Sequence, residues 1–293
     1  MSSSWKLDAG DEIVPGIRME RRLGGGERYE AYLGWHERLF APVVVKVVRP
    51  DLVTESATLR GLRREVEMLH RLAHPVIVRS FDAQPEGERP HLVLEHLDGP
   101  RLSTLLRKYG PLSMEQLLPL GLEMCSALHY LATESIVHLD VKPSNIIMGS
   151  PPRLIDLSIA RSFDECNRLD HVVGTDAYMA PEQCDPPKSG VPGAAADIFG
   201  LGATLFEATT GETPYDKGSR DESALADERW PQLVDEPRPF DRRIPGAVTK
   251  PILACLERNP ANRPTAAELA AMLEPLVEAL PRPVLAGMRA KMR

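Results

Sequence analysis

The segment His138-Leu139-Asp140-Val141-Lys142-Pro143-Ser144-Asn145 gathers polar chemistry behind an apolar lead, Ile136-Val137. Asp140 and Asn145 stand five apart on a loop interrupted by Pro143, with Lys142 between them. Sixteen residues after Asp140, Asp156 ends a second apolar run, Leu154-Ile155. Two acids and an amide at the ends of short strands, with a lysine among them, suit a divalent metal and phosphate. Taken alone the pattern also fits plain turn chemistry, because strand ends often carry Asp and Asn. Lysine is scarce here, 8 against 27 arginines, so the position of Lys142, and of Lys46 at the end of Val43-Val44-Val45, is informative.

These residues need elements to hold them. Residues 43–48 and 91–95 are short runs rich in β-branched and aliphatic residues and predict strands. Between them, residues 55–72 repeat apolar side chains at three and four (Leu59, Leu62, Val66, Leu69), the period of a helix. After Asp98-Gly99-Pro100 the pattern turns mainly helical, clearest over 113–131, 197–209, 251–257 and 265–280. Residues 216–245 are polar and proline-rich and predict an irregular connection. A β-rich front with one helix, then a helical rear, predicts an α+β fold with two lobes. The expected division is a loose lead-in over 1–16, a front lobe over 17–97, a rear lobe over 98–275 and a tail over 276–293.

The ordered set of motifs resembles the eukaryotic-type Ser/Thr protein kinases, in particular their bacterial branch. The catalytic-loop pattern H-R-D-x-K-P-x-N is matched by residues 138–145 except at the arginine. Lys46 matches the lysine of the third strand and Glu65 its helix partner. Asp156 matches the acid that opens the activation segment, and Gly174-Thr175-Asp176-Ala177-Tyr178-Met179-Ala180-Pro181-Glu182 matches its end. Asp197-Ile198-Phe199-Gly200 and Arg263 follow in order, the latter as the partner of Glu182. The resemblance implies transfer of the ATP γ-phosphate to protein hydroxyls, with Mg²⁺, or Mn²⁺, as the metal. Asp140 would accept the substrate proton, Lys142 would neutralise the moving phosphoryl group, and Asn145 and Asp156 would bind metal. Lys46, oriented by Glu65, would hold the α- and β-phosphates. Gly24 and Gly26 would form the nucleotide loop. Leu23, Ala31, Val44 and Ile147 would sandwich the adenine, Glu95 and Leu97 would offer backbone groups to its edge, and Leu94 would be the gatekeeper.

Three departures stand out. Tyr29 replaces the third glycine of the nucleotide loop, either capping the site or pointing to solvent or the adjacent strand. Leu139 replaces the arginine before the catalytic aspartate. Ser158 replaces the glycine two residues after Asp156. A nucleotide-binding pseudokinase acting as a scaffold is the alternative that these raise. Kinase-like small-molecule phosphotransferases form a third reading, but generally lack the 174–182 segment and its arginine partner. Between Ser162 and Thr175 there is no Ser, Thr or Tyr. With Leu139 unable to pair with phosphate, the expectation is an enzyme not switched by phosphorylation of this loop. Asp164, Glu165 and Asp170 add negative charge there, without an assigned phosphate-like role.

Composition narrows the classes further. Hydrophobic residues are 43% and charged residues 26%, ordinary for a protein with a packed core. The net charge of −7, with no basic surplus in either half, argues against nucleic acid as partner. The four scattered cysteines show no zinc or disulfide spacing, and no secretory leader or apolar run of membrane-spanning length is visible. The expected setting is cytoplasmic, as a soluble kinase or as part of a longer receptor.

Overall fold

Alternation along Val43-Val44-Val45-Lys46-Val47-Val48 buries Val43, Val45 and Val47 on one face and turns Val44 and Lys46 to the other, where both are half-buried. This strand organises the front lobe. A computed structural model describes residues 3–281. Six strands, β1 (Glu12–Val14), β2 (Ile17–Gly25), β3 (Tyr29–His36), β4 (Ala41–Val48), β5 (Ser80–Gln84) and β6 (His91–Glu95), form one antiparallel sheet in the order β1-β2-β3-β4-β6-β5. Helix α1 (Ser56–Arg71) enters between β4 and β5. Its N-cap is Glu55, whose carboxylate accepts from the Thr58 N–H at 3.2 Å. The predicted stripe is buried at Leu62, Val66 and Leu69, and Glu65 lies on the same buried face.

The loose lead-in expected over 1–16 is instead docked, as far as residues 3–16 are concerned. The Trp5 indole N–H donates to the Val48 carbonyl at 2.8 Å, its backbone N–H donates to Glu30 at 3.1 Å, and Arg89 stacks 4.7 Å from its ring. The reason is Glu30, a fully buried carboxylate that needs donors; Tyr32 and Arg22 supply further ones at 2.8 Å each.

The rear lobe begins with α2 (Leu102–Tyr109) and α3 (Met114–Thr133). Short paired strands follow: β7 (Ile136–Val137), β8 (Ile146–Ile147), β9 (Arg153–Leu154) and β10 (Arg161–Ser162). β7 pairs with β10 and β8 with β9, so the catalytic loop and the start of the activation segment are tied by backbone bonds. The remaining helices are α4 (Phe163–Cys166), α5 (Pro181–Cys184), α6 (Pro186–Ser189), α7 (Ala194–Thr210), α8 (Ala226–Arg229), α9 (Gly246–Cys255) and α10 (Ala266–Glu278). α3, α7, α9 and α10 pack around Phe199, Phe206, Leu120 and Met124, all essentially buried. The stretch 216–245 is largely irregular, as expected, but not idle. Trp230 donates to the Asp176 carboxylate at 3.0 Å, and Gln232 donates to the carbonyls of Asp176 and Met179. Helix α10 continues beyond residue 275, and positions 282–293 of the tail lie outside the described residues. Among the described residues no helix is long and apolar enough to cross a membrane.

Candidate active site

Lys46 and Glu65 belong to different elements but meet because α1 packs across the sheet. Lys46 Nζ lies 2.7 and 3.0 Å from the two Glu65 oxygens and 2.8 Å from Asp156 Oδ1. Burial works against the ammonium charge, yet the Asp156 and Glu65 carboxylates outweigh it and hold the Lys46 pKa above the ordinary lysine value. For Asp156 burial is likewise outweighed, by Lys46 and then by the Ser158 hydroxyl, so its carboxyl is held below the usual range. Ser158 therefore favours the charged form of the candidate metal ligand. It is not among the residues with positive φ, so the glycine it replaces is not needed for backbone freedom here. Two non-glycine residues with left-handed backbone lie here, Asp156 itself (φ 69°) and Leu139 (φ 65°).

The catalytic loop is anchored from below. Asp197, buried in the first turn of α7, accepts from the backbone N–H groups of His138 and Leu139 at 2.7 Å each. Burial raises its pKa to about 6, against the pull of His138 and the two N–H groups. The sequence marks Asp197 as a helix start; its hold on a loop 58 residues away needs the tertiary contact. On the open side, Asp140 receives the Thr175 hydroxyl at 2.7 Å, Lys142 Nζ at 2.7 Å and Asn145 Nδ2 at 2.9 Å. Lys142 also donates to Thr175 Oγ1 at 2.6 Å, which places Thr175 beside Lys142.

Of the expected adenine contacts, Ala31, Val44 and Leu94 lie on one side of the front sheet, and Ile147 comes from β8 of the rear lobe. Ala31 pairs in register with Lys46, and Leu33 and Leu94 flank Val44. Ala31, Val44, Ile147 and Leu97 are half-buried, Leu94 is buried and Leu23 is 41% exposed. Glu95 does more than the sequence implies. Its buried carboxylate pairs with Arg79 at 3.1 Å and Arg153 at 2.9 Å, joining β6 to the entry of β5 and to β9. Its N–H is taken by the Arg79 carbonyl at 3.0 Å, so that N–H is already engaged within the protein. In the nucleotide loop, Gly24 (φ 139°) requires glycine, and so does Gly25, where a Cβ would sit 2.5 Å from the Tyr29 carbonyl oxygen. Gly26, expected as a motif glycine, has open space around it and closes the hairpin by donating to the Tyr29 carbonyl at 3.1 Å.

The activation segment is held at several points. The Leu139 side chain is 2% exposed and belongs to the same apolar cluster as Leu157, Ala160 and Cys166. Gln183 fixes the Leu139 and Val173 carbonyls at 2.9 Å each. Ser162 and Glu165 cap α4 reciprocally, and Glu165 reaches Arg64 of α1 at 3.2 Å. Glu182 and Arg263 form a buried bidentate pair at 2.6 and 2.9 Å.

Two lobes, a lysine paired across the cleft and an aspartate set among hydroxyl, amide and ammonium describe a phosphotransferase-type cleft. A sequence model described as "Protein kinase domain" matches residues 17–273, and the chain belongs to that family. It is 33% identical over 259 residues to a probable serine/threonine-protein kinase, PkwA, of Thermomonospora curvata, covering 87% of this chain and 33% of that protein. It is 32% identical over 265 residues to the serine/threonine-protein kinase PknB of Mycobacterium tuberculosis (86% and 41%). To the serine/threonine-protein kinase PkaA of Streptomyces coelicolor it is 35% identical over 246 residues (81% and 44%). The chain thus spans between a third and just under half of the length of these relatives.

Proposed function

We propose that this chain is a catalytically active Ser/Thr protein kinase domain that transfers the ATP γ-phosphate to protein hydroxyls. The observation that carries the reading is Lys46 paired at once with Glu65 and Asp156 while Asp140, Lys142 and Asn145 converge opposite. Lys46 would hold the nucleotide phosphates, and Asp140 would take the proton of the incoming hydroxyl. Asn145 and Asp156 would hold Mg²⁺. Among the described residues no group of three or more His, Cys, Asp or Glu is set to hold a metal. Two protein ligands suit an ion that takes its remaining ligands from phosphate and water. Once bound, that ion supplies charge neutralisation at the phosphate oxygens. Against the scaffold alternative, all phosphate- and metal-facing groups are present, and Ser158 sits in place without backbone strain. Incubation with Mg-ATP and a generic protein acceptor should give phosphoserine and phosphothreonine, abolished by EDTA and by Lys46→Ala. Phosphotyrosine alone, or transfer unaffected by Lys46→Ala, overturns the reading.

The same reading extends to control. The domain is of the type lacking the arginine before the catalytic aspartate and is not switched by activation-loop phosphorylation. Where a phosphate-binding cation is expected, Leu139 packs into the core. The loop instead carries its own anion. Burial opposes the charge on Glu165, but the Ser162 N–H and hydroxyl, Arg64 and Arg161 together lower its pKa, so it stays ionised beside α1. Phosphatase treatment should leave activity within about twofold of the untreated enzyme, a span under 0.5 kcal/mol in barrier. No phosphate should map to residues 163–174. A large loss of activity traced to dephosphorylation of this loop would refute the assignment.

A further inference from the structure

Of the courses that its place in the nucleotide loop suggests, Tyr29 takes packing against the adjacent strand, and it reaches beyond that strand to α1. It begins β3, opposite Val48, and its ring turns inward beneath the loop. Lys46 Nζ lies 4.6 Å from the ring centroid, the geometry of a cation held on an aromatic face. The hydroxyl donates to the Thr58 carbonyl in the first turn of α1 at 3.1 Å. One side chain therefore touches the loop, the lysine and the helix that carries Glu65. Burial pushes the Tyr29 pKa up to about 12, so the hydroxyl remains a donor across the neutral range.

A second unusual residue matches the first. Gly61 lies in the middle of α1, where glycine is unfavourable relative to alanine. A Cβ built there would meet one atom within 4 Å outside its own helix and neighbours, the Tyr29 hydroxyl oxygen at 3.3 Å. The helix lacks a side chain where the tyrosine arrives.

We propose that Tyr29 is a positioning residue for phosphoryl transfer, a strut that holds α1 and Lys46 in the Glu65-paired arrangement with Gly61 as its socket. This rests on the reading that Lys46 serves the nucleotide phosphates. The strut and the Arg64–Glu165 pair reach α1 from two separate segments, the nucleotide loop and the activation segment. Together they hold the helix in place without a phosphorylated loop.

The test is a variant series with two readouts. Tyr29→Phe keeps the ring over Lys46 and removes only the hydroxyl, whereas Tyr29→Gly restores the family residue and removes both contacts. In Tyr29→Gly, kcat is expected to fall 5- to 20-fold while the dissociation constant for ATP changes less than threefold; Tyr29→Phe should lie between. Amide hydrogen exchange over residues 56–66 should rise at least fivefold in both variants, with the rear-lobe helices unchanged. Gly61→Ala should slow catalysis in the parent and raise the melting temperature in the Tyr29→Gly background. Wild-type kcat and wild-type exchange in both tyrosine variants overturn the proposal, as does a higher kcat in Tyr29→Gly. Lys46→Ala is the control. If it stays active, the role given to Lys46 fails, and the exchange measurement still decides whether Tyr29 holds the helix.

Discussion

Asp140→Asn is expected to lower kcat for protein phosphorylation by roughly 10²- to 10⁴-fold, the range contributed by a positioned general base. The substitution keeps shape and removes charge. In the parent, the carboxylate takes three donors: the Thr175 hydroxyl at 2.7 Å, Lys142 Nζ at 2.7 Å and Asn145 Nδ2 at 2.9 Å. An amide can accept with one end only, so one of these donors would face another donor. The group that would receive the substrate proton is also lost, and Lys142 loses its anionic partner. Lys46, Glu65 and Asp156 are untouched, so KM for ATP should stay within about threefold, the mark of an interaction made in the transition state. Steady-state kinetics with varied ATP and a fixed protein acceptor read both quantities. A variant retaining a third or more of the parent kcat would remove Asp140 from the proton path.

The largest loss of stability is expected from Arg263→Ala, about 3–5 kcal/mol, because it strands a buried charge. The side chains of Arg263 and Glu182 are 0% and 1% exposed. Beyond its two bonds to Glu182, the guanidinium donates to the carbonyls of Glu257 at 2.7 Å, Ala195 at 2.9 Å and Arg258 at 3.0 Å. It also lies 5.0 Å from the Phe199 ring centroid, at the buried start of α7. Removing it leaves one carboxylate and three carbonyls short of a donor, in a protein whose total stability is expected to be about 5–15 kcal/mol. At roughly 2–4 °C per kcal/mol for a chain of this size, melting should fall by about 10 °C. Arg263→Lys should recover little, since an ammonium cannot reproduce the two parallel bonds. Thermal melts of the three proteins decide it. A fall of less than about 2 °C in the alanine variant would mean that Glu182 finds another donor, and that this pair does not hold the activation segment to α7.

Much of the site was legible along the chain. Lys46, Glu65, Asp140, Lys142, Asn145, Asp156 and Thr175 sit in short motifs whose residue types suit the proposed phosphate, metal and proton chemistry. The alternation of 43–48 and the three–four repeat of 55–72 are local consequences of backbone geometry, so strand β4 and helix α1 could be read without knowing what they touch. Glu65 falls on the buried stripe of α1, which fixes the face it presents. Other features depend on partners brought together by folding. Nothing near Glu165 announces Arg64, 101 residues earlier, and nothing near Leu139 announces the Asp197 carboxylate beneath it. Ser158 reads in sequence as a lost glycine, yet its φ lies outside the left-handed region. The lead-in looked loose because Glu30, the buried acid that recruits Trp5, reads in sequence as one more strand charge. For Tyr29 the sequence supplies the residue but not its direction. A side chain at a hairpin end can turn to either face, and the choice is made by the space above Gly61, the Thr58 carbonyl and the Lys46 ammonium. Periodicity and motif spacing report on bonds along the chain; hydrogen bonds and ion pairs across it exist only once packing has brought their two ends within about 3 Å.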